Sequence, residues 1–168
     1  MSEQNTTQHL YVPQLQIPYE LVNMECKINV IPHQMEEGVY RLKTPIEIHI
    51  AKGATIKLKT GIKLMMPKYI DASPCSGIPE GVATSVFPRM VLHAHLDSIF
   101  DLLVEKGLSV LGPRLMSADD VNGKELVVYL QNLGKEELVM KAGDEVAVLY
   151  YTIMPISTMV MTPIFTLN

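Results

Sequence analysis

Three groups of residues in this chain could do chemistry. His93-Ala-His95-Leu-Asp97 sets two imidazoles at i and i+2, and on an extended strand such residues share one face, as a pair of metal ligands would. A binuclear metal site needs further ligands downstream, yet no histidine follows position 95; the five are at 9, 33, 49, 93 and 95. His49 could join from an adjacent strand. The competing reading of His93 and His95 is a pair of hydrogen-bonded strand histidines. Asp119 and Asp120 precede Asn122-Gly123. They are either a source of a carboxylate base or polar residues beside a turn. Arg89, after Pro88, is a candidate anion contact; otherwise it is a surface or interface arginine. The chain carries no CxxC pair, Walker-type loop, GxSxG or dinucleotide fingerprint.

The elements that must position these residues are nearly all strands. Ile46–Ile50 alternates apolar and polar with period two, as a half-buried strand does. Thr55–Lys59 alternates again, Thr60-Gly61 predicts a break, and Ile62–Met66 resumes the run. Residues 68–81 hold Pro74, Gly77, Pro79 and Gly81, a loop. Val82–Phe87 and Val91–His95 read as short strands on either side of Pro88. Asp97 or Ser98 could cap a helix packing Ile99, Phe100, Leu102, Leu103 and Val104 inward, with Gly107 ending it in the left-handed conformation. Strands follow at Leu108–Leu111, Glu125–Leu130, Glu137–Met140 and Glu145–Thr152, with turns at Gly112-Pro113 and Val121–Gly123. About ten short, evenly spaced strands imply an antiparallel sandwich or barrel.

The whole chain of 168 residues predicts one domain, residues 18–158, able to bury roughly 70% of its unfolded surface. Residues 1–17, rich in Gln, Asn and Thr, predict a flexible arm. Residues 159–168 are apolar and β-branched, so they should pack on their own body or a neighbouring subunit. The net charge of −4 argues against non-specific nucleic-acid or anionic-membrane binding, which rests on basic surface. Two cysteines, Cys26 and Cys75, are too few for a disulfide scaffold and predict a reducing compartment. No apolar run approaches the roughly 18 residues of a membrane span, and the polar start MSEQNTTQHL is unlike a signal peptide. The eleven methionines fit core or interface filler better than a metal site.

Five segments, in order and nearly at the right spacing, resemble the trimeric dUTPase family, which includes dCTP deaminases. Val39–Leu64, VYRLKTPIEIHIAKGATIKLKTGIKL, matches a motif near YDLYSA leading through a strand and turn to KTGI–x–LP. Pro79, Gly81 and Pro88-Arg89 match P–x–G followed by PRS. SADDVNGKE stands near the place of GVIDxDYRGE. Leu126–Asn132, LVVYLQN, matches a strand ending in Asn, and Lys141–Leu149, KAGDEVAVL, matches KGDRIAQL. The resemblance implies an all-β, dUTPase-like jelly-roll β-barrel, here with one short helix, assembled as a homotrimer with active sites between subunits.

It also implies chemistry that the residues only partly support. Hydrolysis of a nucleoside triphosphate needs Mg²⁺, phosphate donors and a carboxylate that activates water. Arg41 stands where the first motif has Asp, Met90 where the second has Ser, and Val148 where the fourth has Gln. Registering the third motif on Glu125 puts Asp119 at the base position and Asn122 at the tyrosine that stacks under deoxyribose. Registering on Gly123 puts Ala118 and Val121 there. TMVMTPIFTLN, without glycine, cannot wrap phosphates as the fifth motif does.

The expectation is therefore a non-catalytic homotrimer serving as a structural or binding module. By family analogy it would be a virion component, such as a capsid decoration or head-fibre protein, joined to its partners through arm and tail. The alternative is a divergent nucleotide hydrolase or deaminase, or a nucleotide-binding regulator, with Asp119 as base, Arg89 on phosphate and Mg²⁺ as cofactor. Otherwise no cofactor is expected, and the location is cytoplasm or virion.

Overall fold

A computed structural model describes residues 16–22, 31–71, 89–112, 114–155 and 161–165. Among the described residues twelve strands form three sheets. β1 (Tyr19–Leu21), β5 (Thr55–Leu64), β10 (Glu125–Asn132) and β8 (Leu108–Val110) pair in the order β1-β5-β10-β8. β2 (His33–Glu36), β3 (Val39–Lys43), β12 (Glu145–Pro155), β7 (Arg89–Asp97) and β6 (Ile70–Asp71) pair in that order, with β9 (Arg114–Met116) also on β7. β4 (Ile48–Ile50) and β11 (Leu138–Met140) make a separate two-stranded ladder. Every pairing is antiparallel.

The period-two alternation turns one side chain in two toward a shared core. Leu58, Ile62 and Leu130 come from the four-stranded sheet, and Leu42, Leu96 and Leu149 from the larger one. Each is at most 3% exposed, and full burial of such a side chain is worth about 1.5–3 kcal/mol. Core burial from both sheets gives the all-β antiparallel architecture that the strand spacing predicts, and with it the jelly roll that the resemblance implies. No helix among the described residues is long and apolar enough to cross a membrane.

Three local expectations change. Thr60-Gly61 is not a break: β5 runs through it, and the register against β10 jumps from Lys59↔Val127 to Lys63↔Glu125, a bulge. Gly61 takes φ +75° there, a conformation that costs glycine little. Its N–H is received by the Glu125 carboxylate at 2.9 Å, while the fully buried Thr60 hydroxyl donates to the Leu126 carbonyl at 2.7 Å. The helix α1 (Phe100–Lys106) starts after Ile99, not at an Asp97 or Ser98 cap. Asp97 accepts the Ser98 N–H, and the Ser98 hydroxyl accepts that of Val110. Leu102 packs on the core, but Phe100 and Val104 are 74% and 67% exposed, so not all its apolar residues turn inward. Gly107 does close it, at φ 72°. A second short helix, α2 (Ala118–Val121), occupies part of the segment expected to be loop and turn. The expected strand Val82–Phe87 and the arm up to residue 15 lie outside the described residues; Ile17 already packs against the core.

Candidate functional site

Arg41 lies on β3 directly opposite Val148 of β12, so two of the altered motif positions are cross-strand neighbours. Arg41 Nη1 donates to Glu145 Oε2 at 3.1 Å, and Nη2 lies 4.0 Å from Asp101 Oδ2 on α1. His33, in register with Arg41 on β2, places Nδ1 3.0 Å from Glu145 Oε1. Burial pushes the Glu145 carboxyl up, but the hydrogen bonds and charges of His33 and Arg41 outweigh it and hold the pKa below the usual value. In the KGDRIAQL pattern the position of Glu145 is an arginine, while the position of Arg41 is an aspartate. Two residues that depart from those patterns, Arg41 and Glu145, thus form an ion pair with each other in this chain. Sequence comparison exposes each exchange separately; the shared ladder joins them.

The third-motif segment is equally specific. Ala118 and Val121 are buried at 4% and 5% exposure, so a register on Gly123 would put core residues at both reactive positions. Asp119 faces solvent, its side chain 73% exposed and 3.3 Å from Lys68 Nζ. Asp120 accepts the Ser117 N–H at 2.8 Å and the Ser117 hydroxyl at 3.0 Å, which ties the first turn of α2. Asn122 clamps Met66 from both sides: its Oδ1 accepts the Met66 N–H and its Nδ2 donates to the Met66 carbonyl, each at 2.8 Å. An amide at the tyrosine position thus fastens the end of IKLKTGIKLMMP to α2, a use that no local pattern announces.

His93 and His95 do share the outer face of β7. His95 stacks on Tyr150, with centroids 4.7 Å apart, and its Nε2 meets the Thr152 hydroxyl at 2.7 Å. His93 Nδ1 is buried without a hydrogen-bond partner among the described residues. His49 is in the separate β4–β11 ladder, beside Glu47 at 2.9 Å and Glu137 at 3.6 Å. Among the described residues no three His, Cys, Asp or Glu side chains gather to hold a metal ion. Arg41 does not fit Mg²⁺ either, since a guanidinium has only donors and offers a cation no ligand where the family's acid stands. Arg89 opens β7 opposite Asp71; its side chain lies outside the described part. Met90, in register with Ile70 and Pro155, is far along β7 from the Asp97 end that adjoins Val148.

A depression of about 450 Å³ opens beside α2, lined by Lys57, Leu115, Lys124, Val127 and Tyr129 with Asp120 and Glu125. Both carboxylates are engaged, Glu125 by Gly61 and Asp120 by Ser117. The two lysines and two carboxylates balance in charge, since hydrogen bonds from the neutral Gly61 and Ser117 groups orient the carboxylates without discharging them.

The fold defined by these sheets and motifs is the dUTPase-like jelly roll. Among solved structures it resembles the dUTPase of phage phi11 of S. aureus, with TM-score 0.60 and 13% identity over 92% of this chain and 99% of that one. It likewise resembles the Streptococcus mutans dUTPase, at 0.59 and 18%, covering 85% and 98% of the two chains. The EIAV dUTPase gives 0.57 and 16%, covering 89% and 97%. No protein-family model and no curated protein sequence matches the chain. At such identities the likeness is one of fold.

Proposed function

We propose that this protein is a dUTPase-like homotrimer that does not hydrolyse nucleotides and serves as a structural or binding module. The carrying observation is the Arg41–Glu145 pair: a guanidinium stands at the acid position and is bound to Glu145. A guanidinium there has no lone pair to offer a metal that assists attack on a polyphosphate, and the candidate base Asp119 stands exposed at the surface beside Lys68. The likeness to phage and viral dUTPases supports a virus-encoded setting, with a capsid decoration or head-fibre role as its most specific form.

Incubation of the purified protein with dUTP or dCTP and Mg²⁺ tests the reading. No pyrophosphate or ammonia above the blank is expected; release that Asp119→Ala abolishes would overturn it. Light scattering should give three times the 18.7 kDa chain mass, and a strict monomer would refute the trimer. The depression beside α2, which Lys57 and Lys124 line, favours one second reading, a regulator that binds nucleotide without turnover. Calorimetric titration with dUTP reports on that, and heat of binding lost in Lys57→Ala would establish it.

A further inference from the structure

His93 and His95 have no part in the function proposed above, yet both sit half-buried on the outer face of β7. Leu92, Ala94 and Leu96, which alternate with them, fill the core. The pleat therefore sends both imidazoles outward on the same side. There β12 opposes them, Thr152 in register with His93 and Tyr150 with His95.

The two rings are held differently. His95 is fixed: it stacks on Tyr150, and its Nε2 meets the Thr152 hydroxyl at 2.7 Å. Because Thr152 is the partner of His93 in the ladder, the His95 ring leans along the strand toward His93. Its other nitrogen, Nδ1, makes no hydrogen bond among the described residues. His93 has no hydrogen-bond partner among them at all, although its Nδ1 is buried. A buried polar atom without a partner is rare and calls for a water or an ion. One flank of His93 is also uncovered. β9 pairs with β7 only as far as Met116↔Ala94, and β6 joins it at Ile70↔Met90. Between those pairs no described strand lies on that side of β7.

Imidazole nitrogens that share a face and lack partners suit a borderline divalent ion such as Zn²⁺, whereas Mg²⁺ takes oxygen. In metal-bound histidines the nitrogen that does not ligate donates to an oxygen, which fixes the tautomer and the ring. Thr152 Oγ1 can receive that proton from His95 Nε2, which leaves the Nδ1 lone pair for the ion. We infer that His93 and His95 form a two-imidazole site for Zn²⁺ or a similar divalent ion, with Thr152 positioning His95. No acidic or cysteine side chain joins them among the described residues, so solvent completes the coordination. Two protein ligands make an exchangeable site, not a closed structural one. It uses neither Arg41 nor α2, so it stands whether or not the protein turns over nucleotides.

Calorimetric titration of the untagged full chain with ZnCl₂, in a buffer that does not bind metal, tests the inference. One ion per chain should bind. His93→Gln and His95→Gln should each abolish that heat, while His49→Gln, on the separate β4–β11 ladder, should bind as the parent does. Thr152→Val keeps both imidazoles and should weaken binding about tenfold, the cost of losing a ligand's outer partner. In the parent itself, where no variant has to fold, Zn²⁺ should protect His93 and His95 from diethyl pyrocarbonate and leave the exposed His33 reactive. Absence of binding by the parent overturns the inference, and so does unchanged affinity in either variant of the pair. Modification of His93 and His95 at the same rate with and without Zn²⁺ overturns it as well; a water on His93 Nδ1 is then the partner.

Discussion

The buried amide of Asn132 and the charged cluster of Arg41 are both polar centres at motif positions, and they are built on opposite principles. Asn132 is fully buried, yet all its side-chain bonds go to backbone: Nδ2 donates to the Ile50 and Glu136 carbonyls at 2.9 and 2.7 Å, and Oδ1 accepts the Gly134 N–H at 2.9 Å. Arg41 is 27% exposed and bonded to side chains, Glu145 and Asp101. A centre satisfied by backbone keeps its partners whatever the surrounding side chains become. A centre satisfied by side chains can be exchanged, provided both ends change together. A centre of the first kind can thus persist where residues of the second kind are exchanged.

The largest effect should come from the first centre. Asn132→Ala leaves the buried Ile50 carbonyl and the part-buried Glu136 carbonyl and Gly134 amide without this partner, the buried group alone costing about 1–3 kcal/mol. Against a total stability of about 5–15 kcal/mol, the variant should be insoluble or unfold at far lower urea. A loss below about 1 kcal/mol would mean that the backbone finds other partners, and the contrast would collapse. Asn122→Ala, which removes two part-buried bonds to Met66, two residues beyond β5, should cost about 2 kcal/mol. Amide exchange at Met66 should speed up before global unfolding does.

How much of this the sequence discloses follows from how far apart the partners lie. Alternation in Ile46–Ile50 and Glu125–Leu130 discloses strands because the period is local, and Gly107 discloses the helix end because its φ of 72° is a property of one residue. Thr60-Gly61 looks like a turn because the group that stabilises it as a bulge, Glu125, is 64 residues away. The orientation of α1 is hidden for a related reason: Phe100 and Val104 are apolar by type, but a seven-residue helix presents only a narrow side to the core. Arg41 discloses a loss of acid, while its compensation at Glu145, 104 residues on, appears only in the ladder. The Asn122 clamp had no local signal at all.

The Arg41–Glu145 pair admits a direct test. Arg41→Asp sets two carboxylates, at 41 and 145, side by side with Asp101 near, and should cost about 2 kcal/mol in urea unfolding. Arg41→Asp with Glu145→Arg should recover most of that loss, a coupling of about 1 kcal/mol or more in the double-mutant cycle. Additive losses would show that the geometry does not tolerate the exchanged charges. The pair also sets a pH dependence. Because folding lowers the Glu145 pKa, its contribution is complete above the unfolded carboxylate value of about 4.3 and fades as pH falls through the lower folded value. Arg41→Ala should therefore differ from the parent at pH 7 by about 1 kcal/mol. The two stability curves should converge in acid.

The smallest effect is expected where the family's chemistry would have made it largest. Asp119 is 73% exposed and its one described ion pair, with Lys68, is at the surface. Such pairs are worth about 0–1 kcal/mol, so Asp119→Ala should shift the urea midpoint by almost nothing. It should also leave the nucleotide assay at the blank, the result expected of the parent. A residue that holds a catalytic geometry has its rotamer fixed by neighbours; Asp119 has one long, mobile lysine. If Asp119→Ala instead changed dUTP binding or turnover with no change in stability, α2 would have kept a site that Arg41 and Glu145 had not undone. The Arg41–Glu145 pair would then mark altered specificity, not lost chemistry.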